Sequence, residues 1–139
     1  MSLKFHPSQG MVLICDYSTG FIHPEMIKKR PVVVVSPRFR RGKKLCSVVP
    51  LSTTSPNPIE DHHHKLNCSS LPGKFSRNET WAKCDMITTV SLDRLDRVKL
   101  KDKHGKRLFV SHRIMNEDLQ AIIRCLLNHL GLKRLIQHL

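Results

Sequence analysis

The alternation of short apolar runs with turn residues predicts β-structure for the first part of the chain. Three runs favour strands because they are rich in β-branched residues: Met11–Asp16, Val32–Ser36 and Leu45–Leu51. Four consecutive valines, at positions 32–35, are too few to cross a membrane and too many for a strand with one wet face. They predict a strand buried on both faces. Pro50 cannot donate a ladder hydrogen bond and therefore predicts an edge or a bulge.

Further strands are predicted in the middle of the chain, around a long polar connection. The connection spans residues 54–72 and is rich in Ser, Pro, Asn and His. The segments expected to be extended are a strand near His64–Asn67, a strand over Glu79–Met86 with Trp81 as a core residue, and a hairpin over Val98–Val110 that turns near His104 and Gly105.

An amphipathic helix is predicted near the end of the chain, because apolar residues recur at helical spacing over 119–130. Asn116 is the expected N-cap, and Glu117 and Asp118 favour the positive end of the helix. Gly131 is expected to end it in the left-handed conformation. A short second helix is expected over Leu132–Leu139.

Strands followed by one packed helix predict a mainly β (α+β) fold, a small and strongly bent sheet or barrel with the helix laid across it. The chain has 139 residues and 40% hydrophobic content, enough for one core and not for two. We expect a single domain over 1–139. Its barrel spans about 7–111, its C-terminal helix about 116–130, and a short extension 131–139.

The charge balance points to an anionic partner. The chain carries 24 Lys and Arg against 11 Asp and Glu, a formal charge of +13. Such an excess favours phosphates, and nucleic acid first among them. Aromatic residues make up only 5%, so stacking on bases is a minor contribution beside phosphate contacts. The segment RFRRGKK at 38–44 has no acidic residue to pair its cations and favours phosphate binding.

Several other classes are disfavoured. No apolar run approaches 18 residues, and Met1–Gln9 lacks the pattern of a signal peptide, so a cytoplasmic protein is expected. Five scattered cysteines without a CxxC pair argue against a zinc ribbon and a disulfide framework, and most are expected to be buried. The sequence has no GxxxxGK[ST], HExxH or GxSxG motif.

A run of three histidines, His62–His64, invites a metal site. Adjacent residues on an extended chain point to alternate faces, so the three cannot all reach one ion without a turn. A solvated loop is the favoured interpretation, and we expect no bound metal and no cofactor.

Polar residues cluster instead at the ends of the apolar runs, where the strands of a small barrel can converge. Each also has a purely structural interpretation: a cation covering a strand flank, a turn hydroxyl, or a carboxylate that caps a loop. They are Glu25 and Arg30 beside the valine strand, Ser52, Thr53 and Thr54 after the third run, and Lys83 and Asp85 after Trp81.

The order of these motifs resembles the MazF/PemK (Kid) family of toxin endoribonucleases from bacterial toxin-antitoxin pairs. The resemblance covers Pro7 to about Gly131. Members begin with a G-x-[IVL] strand that ends in Asp, and carry a Glu five residues before R-P-[VA]-[VL]-[VI], as Glu25 precedes Arg30 here. The matching segments are GMVLICDYSTGF, PEMIKKRPVVVVSP, VVPLSTT and WAKCDMITTVSLDRL, followed by the amphipathic helix.

The resemblance implies an SH3-like barrel with a C-terminal helix, a fold shared with the gyrase-poisoning CcdB toxins, and a homodimer. Members cut single-stranded RNA at short sequences without a metal, through attack of the 2′-hydroxyl on its own phosphate. The implied products are a 2′,3′-cyclic phosphate and a 5′-hydroxyl. The implied partners are mRNA and an acidic antitoxin whose disordered ends wrap the RNA groove, with operator DNA bound only by the toxin-antitoxin complex and no membrane.

Site residues are implied motif by motif. Arg30 stabilises the phosphate. The family's catalytic Thr falls on Ser52, with Thr53 beside it, and the R-C-D element of Kid-like members falls on Lys83, Cys84 and Asp85, which makes Asp85 the base and Lys83 a substitute for Arg. Kid-like members use a His directly before the Glu, where this chain has Pro24 and places His23 one residue further back. The RNA-binding residues expected are His23, Glu25, Lys28, Lys29, Arg38, Arg40, Arg41, Lys43 and Lys44.

Three alternatives stay open. A degenerate toxin would keep the fold and lose activity through the Ser52 and Lys83 departures. A non-catalytic nucleic-acid-binding module would need the basic loops and not Arg30, Ser52 and Asp85 together. A CcdB-like gyrase inhibitor is disfavoured, because such toxins act through a C-terminal Trp-Gly-Ile and this chain ends in LIQHL.

Overall fold

The computed structural model describes residues 3–38 and 43–139, and in them the chain is mainly β with one C-terminal α-helix. This confirms the predicted fold class. The elements are β1 Met11–Asp16, β2 Lys29–Val34, β3 Leu45–Ser52, β4 His63–Lys65, β5 Trp81–Lys83, β6 Thr88–Ser91, β7 Leu95–Lys101, β8 Arg107–Val110, β9 His112–Arg113 and α1 Asn116–His129, with short 3-10 helices at Cys68–Ser70, Gly73–Arg77, Cys84–Met86, Leu92–Arg94 and Lys133–His138.

The strands pair antiparallel in the order β4-β5-β3-β2-β1-β7-β8. β6 pairs with the first part of β3, and β9 pairs with the start of β1. Within the described residues the path has two ends, at β4 and β8, so the ladder does not close. The predicted small barrel is therefore an open, bent sheet.

The prediction that the valine strand is buried on both faces is confirmed. Val32, Val33 and Val34 are all 0% exposed. Val33 packs in the cluster that includes residues of α1, whereas Val32 and Val34 pack in a second cluster on the other face. β2 begins three residues before the predicted start, because Lys29, Arg30 and Pro31 continue the pairing with β1.

Pro50 does not mark an edge strand, because β3 has partners on both sides. On one side Pro50 lies opposite Val32 of β2. On the other side β6 pairs with residues 45–48 and β5 pairs with residues 51 and 52. Pro50 thus lies where β3 changes partner, at a point where the ladder is already interrupted and no amide donor is needed.

The chain between β5 and β6 leaves the sheet opposite this interruption. It forms the 3-10 helix Cys84–Met86 and returns to the sheet at Thr88. The strand predicted over Glu79–Met86 is therefore shorter than expected, and β6 was not predicted. This excursion carries Asp85.

The β7–β8 hairpin was predicted correctly. Its turn is stabilised by the carboxylate of Asp102, whose Oδ1 accepts the backbone N–H groups of His104 and Lys106, each at 2.8 Å. Gly105 has φ +79°, a left-handed conformation that glycine adopts without a steric penalty.

The cysteine prediction is also confirmed. Four of the five cysteines are buried, Cys68 is exposed, and none forms a disulfide. Burial raises the pKa of Cys15 and of Cys46 to about 11, so both thiols stay protonated at neutral pH.

Helix α1 begins differently from the prediction and ends as predicted. Its N-cap is Met115, and Asn116 is the first helical residue. The hydroxyl of Ser70 accepts the N–H of Met115 at 2.9 Å, so a distant side chain replaces the expected local cap. Gly131 is left-handed with φ +73°. In the described part of the chain no helix is long and apolar enough to span a membrane.

Asp118 in the first turn of α1 ties the helix to the long connection. Its side chain is buried and accepts three hydrogen bonds: from His64 Nε2 at 2.8 Å, from the Asn67 N–H at 3.1 Å, and from the Ser70 hydroxyl. All three donors belong to residues 64–70. One carboxylate therefore fixes the helix, β4 and the chain that follows β4.

We expect Asp118→Ala to lower the free energy of unfolding by about 3 kcal/mol, because the buried Ser70 hydroxyl and two partly buried donors, from His64 and Asn67, lose their acceptor. Glu117→Ala is the matched control, since it removes an exposed carboxylate from the same turn and should change the value by less than about 0.5 kcal/mol. Urea unfolding followed by circular dichroism measures both. If Asp118→Ala lowered the free energy of unfolding by less than about 1 kcal/mol, this result would contradict the role of Asp118 in fixing the helix.

Candidate functional site

The strand register brings Arg30 and Ser52 together. Residue pairs between β2 and β3 include Val32 with Pro50. Continued by two residues, this register sets Ser52 opposite Arg30, with both side chains on the same face of the sheet. Side chains opposite each other on neighbouring strands have Cβ atoms about 4.5–5.5 Å apart. An arginine and a serine thus lie on the same face of two neighbouring strands.

Arg30 and Ser52 belong to a row of side chains that runs across the sheet, perpendicular to the strands, and extends to both sides of this pair. Arg30 is opposite Cys15 of β1, and Ser52 is opposite Trp81 of β5. Lys83 follows Trp81 by two residues, so it shares that face, and its partner across the ladder is His63 of β4. The two cations predicted as catalytic, Arg30 and Lys83, therefore lie on one face of the sheet.

Two buried donors in this row have no hydrogen-bond partner among the described residues: Arg30 Nε and Trp81 Nε1. A buried donor without an acceptor costs about 1–3 kcal/mol, so such groups are usually satisfied by a ligand, a partner or water. Ser52 lies between them in the row. Both N–H groups therefore lie in the row that contains Ser52 and lack an acceptor among the described residues.

Ser52 and Thr53 differ in their surroundings. The Ser52 hydroxyl is nearly buried, at 7% exposure of the residue, and accepts the Thr54 N–H at 3.1 Å. Thr53 is exposed and lies outside β3. Of these two residues, only Ser52 belongs to the row that contains Arg30.

A cleft of about 450 Å³ contains two further predicted residues, Glu25 and Asp85. Glu25 stabilises a turn, because its Oε1 accepts the Ile22 N–H at 2.8 Å and its own N–H donates to the Ile22 carbonyl. The Asp85 side chain is 38% exposed and is accessible from solvent. The rest of the lining is Tyr17, Phe21, Pro24, Met26, Met86, Ile87 and Thr88.

Arg94 holds the segment that forms one wall of this cleft. Its guanidinium donates to the carbonyl oxygens of Asp16 at 3.0 Å and Thr19 at 2.8 Å. It also lies 4.7 Å from the ring centroid of Phe21, a cation–π contact. Sequence patterns gave no signal for this role, since Arg94 is 78 residues from Asp16.

The three histidines do not form the predicted solvated loop. His62 is in a turn, and His63 and His64 are in β4. The expectation that the three cannot share one ion is confirmed, because His64 faces Asp118 on the other side. His62 and His63 instead face Asp85, with Nε2 to carboxylate distances of 3.6 and 4.0 Å. Burial lowers the pKa of His63, and the nearby His62 lowers it further.

Most residues predicted to bind RNA are exposed. Lys29 is the neighbour of Arg30 in β2 and so points to the opposite face, where it lines a separate cavity of about 360 Å³ with Asp16. Arg40 and Arg41 lie outside the described residues. The other exposed members of the predicted set are His23, Lys28, Arg38, Lys43 and Lys44.

A basic surface that was not predicted lies on the β7–β8 hairpin. Lys99 is opposite Phe109, and Lys101 is opposite Arg107. Phe109 is 43% exposed, and Arg97 Cζ and Lys99 Nζ lie 5.1 and 5.7 Å from the centroid of its ring. The alternation in VKLKDKHGKRLFV carries this signal in the sequence.

The chain matches a known sequence family over most of its length. Residues 8–127 match the PemK-like, MazF-like toxin of type II toxin-antitoxin systems. The chain is 32% identical to the uncharacterised protein YifN of Escherichia coli, over 71% of this chain and 78% of YifN. It is 31% identical to an uncharacterised protein of Haemophilus influenzae, over 91% of this chain and 94% of that protein.

Solved structures share the fold. An endoribonuclease from a mycobacterial species superposes with a TM-score of 0.60 at 22% identity, over 91% of this chain and 93% of its own. MazF from Deinococcus radiodurans superposes with a TM-score of 0.63 at 15% identity, over 92% of this chain and 99% of its own. At these identities the likeness concerns the fold.

We expect Arg94→Ala to speed amide exchange in residues 17–25 by about tenfold or more, because two hydrogen bonds from a charged donor are lost. Protection in β2 and β3 should not change. Hydrogen–deuterium exchange with mass spectrometry measures both. Arg97→Ala is the control, since Arg97 contacts Phe109 on another surface. Equal exchange in the two variants over 17–25 would contradict the anchoring role of Arg94.

Proposed function

The chain belongs to the PemK-like, MazF-like toxin family of type II toxin-antitoxin systems, and on this premise we propose that it is an endoribonuclease that cuts single-stranded RNA. The observation that carries the proposal is the row in which Arg30 is set opposite Ser52, with the buried Arg30 Nε lacking a partner among the described residues. A phosphate supplies the acceptor that this donor lacks.

The proposed reaction is an internal transesterification. The 2′-oxygen of one ribose attacks the adjacent phosphorus and forms a new P–O bond, while the bond from phosphorus to the 5′-oxygen breaks. The 2′-hydroxyl loses a proton and the departing 5′-oxygen gains one. The products are a 2′,3′-cyclic phosphate and a 5′-hydroxyl, and no water is consumed in this step.

Arg30 is assigned to the phosphate. Its guanidinium is a planar fork of fixed donors that fits two phosphate oxygens, and its charge opposes the negative charge that builds on the phosphorane. The Ser52 hydroxyl, on the neighbouring strand, supplies a further hydrogen bond to the same phosphate. Both groups lie on strands buried in the sheet, which holds them within the tolerance that catalysis needs.

Asp85 is assigned as the base that accepts the 2′-hydroxyl proton, because it is a carboxylate in a solvent-accessible cleft. Lys83 is assigned as the donor to the 5′-oxygen, since an ammonium gives up a proton more readily than a guanidinium. Glu25, in the same cleft, and Thr53, at its exposed position, are assigned to substrate contact. The base, the proton donor and the phosphate-binding groups of the proposed reaction are thus all side chains of this chain.

The excess positive charge of the chain is proposed to guide RNA to this site. A formal charge of +13 attracts the phosphate backbone and makes binding dependent on salt. We propose further that an acidic, disordered antitoxin segment competes for the same surface, that the chain acts as a cytoplasmic homodimer, and that operator DNA is bound only by the toxin-antitoxin complex. Charge complementarity supports the antitoxin contact.

We expect Arg30→Ala to slow RNA cleavage by about 100-fold or more and to abolish growth arrest, because the phosphorane loses its main cation. Arg30→Lys should retain part of the activity, since it keeps the charge and loses the fork. Cleavage is measured by mapping the 5′ ends of the fragments, and folding by thermal unfolding.

Arg124→Ala is the control for this series, because it removes an exposed arginine from α1 and should leave cleavage unchanged. An Arg30→Ala protein that cuts RNA at the rate of the unchanged chain would show that the site is elsewhere. A folded, unchanged chain that cuts no RNA would favour the degenerate toxin.

We expect cleavage to persist in excess chelator. Proton transfer and charge stabilisation are assigned to side chains, so removal of divalent ions should leave the rate within about twofold. The measurement compares initial rates with and without EDTA at constant ionic strength, because salt alone weakens RNA binding. A loss of activity that added metal restores would reassign the catalytic step to a bound ion.

A further inference from the structure

The turn before β4 brings two adjacent histidines to one carboxylate. His62 precedes the strand, so its ring is not forced to the face opposite His63, and the two ring centroids are 4.2 Å apart. Both Nε2 atoms face Asp85, at 3.6 Å for His62 and 4.0 Å for His63. The proposed function uses Asp85 and gives the histidines no role.

The three ligand atoms are close enough for one ion. One nitrogen from each histidine and one oxygen of Asp85 all lie within 4.8 Å of one another. A tetrahedral Zn²⁺ with bonds of about 2.0–2.1 Å places its ligand atoms about 3.3 Å apart. The contacts at 3.6 and 4.0 Å are made to different oxygens of Asp85, Oδ2 and Oδ1, so one of these oxygens must turn between the two rings. The widest separation within the set of three ligand atoms must shorten by about 1.5 Å or less to reach 3.3 Å. Side-chain rotation at partly exposed residues allows such a change.

We propose that His62, His63 and Asp85 form a binding site for a divalent transition-metal ion of the Zn²⁺ type, and that the bound ion inhibits the enzyme. Two imidazoles and one carboxylate are ligands that Zn²⁺ favours, and three protein ligands leave a fourth position open. The Asp61 carboxylate lies 4.0 Å from His62 Nδ1 on the far side of that ring, where an acidic partner orients a metal-binding histidine.

Two contacts oppose binding of the ion, and one of them predicts how binding can be detected. The Glu60 N–H donates to His63 Nδ1 at 3.0 Å, so the neutral His63 ring carries its proton on Nε2. An ion at Nε2 displaces that proton to Nδ1 and breaks the bond from Glu60. Lys83, opposite His63 in the ladder, adds a repelling charge. Binding should therefore be reversible, and it should change the environment of the Glu60 amide.

Inhibition rests on the proposed function, because it follows from the role given to Asp85. A carboxylate that coordinates Zn²⁺ is a much weaker base, because the positive charge of the ion opposes the addition of a proton. Arg30 and Ser52 are not ligands and keep their contacts with the phosphate. The ion should therefore slow cleavage more than it weakens RNA binding.

The binding test uses the full chain without an affinity tag, titrated with ZnCl₂ by calorimetry. We expect one ion per chain, and at least tenfold weaker binding in each of His62→Ala, His63→Ala and Asp85→Asn. His104→Ala is the control, since it removes an exposed histidine from the β7–β8 turn. Nuclear magnetic resonance should show a shift of the Glu60 amide in the unchanged chain. Equal affinity in all variants would mean adventitious surface binding and would overturn the site.

The inhibition test compares each protein with itself, with and without saturating ZnCl₂, so that differences in basal rate do not matter. We expect at least tenfold slower cleavage by the unchanged chain and less than twofold slowing of His62→Ala at the same ZnCl₂ concentration. Full cleavage by the zinc-loaded chain, or faster cleavage, would overturn the inhibition. If the metal-free chain cuts no RNA, the proposed function fails, whereas the calorimetric result still decides the metal site.

Discussion

The burial of β2 on both faces is the constraint on which the candidate site depends. Val33 packs against the cluster that includes residues of α1, and Val32 and Val34 pack in the opposite cluster. A slip of one residue would exchange one valine for another within the run, but it would turn Arg30 to the other face. The position of Arg30 therefore depends on the register in which β2 pairs with β1 and β3. The same register sets Ser52 beside it, through the pairing of Val32 with Pro50.

The change of partner along β3 determines where the second half of the site lies. β6 pairs with the first part of β3 and β5 with its end, so the chain between β5 and β6 must leave the sheet near Pro50. The excursion holds Asp85 at the cleft, next to the turn that carries His62. Asp118 fixes β4 and the helix from the other side. Cleft, histidines and helix therefore depend on one interrupted ladder.

Features determined by neighbouring residues were predictable from the sequence. The valine strand, the hairpin turn around Asp102 and the left-handed Gly131 each depend on a few consecutive positions. Features determined by distant contacts were not. Asn116 has the composition of a cap, yet Ser70 supplies the hydrogen bond to Met115, and β6 forms only because β3 offers it an edge. The motifs named the candidate residues, but the register alone relates Arg30 to Ser52.

The strand β8 ends the ladder of the described residues, and an end of this kind usually attracts other strands. Here Lys101 is opposite Arg107, a pair of like charges that repel across the hairpin and destabilise it slightly. The same repulsion acts on any second strand that carries cations to this edge. The positive charge at this edge thereby also protects the molecule against aggregation with its own copies.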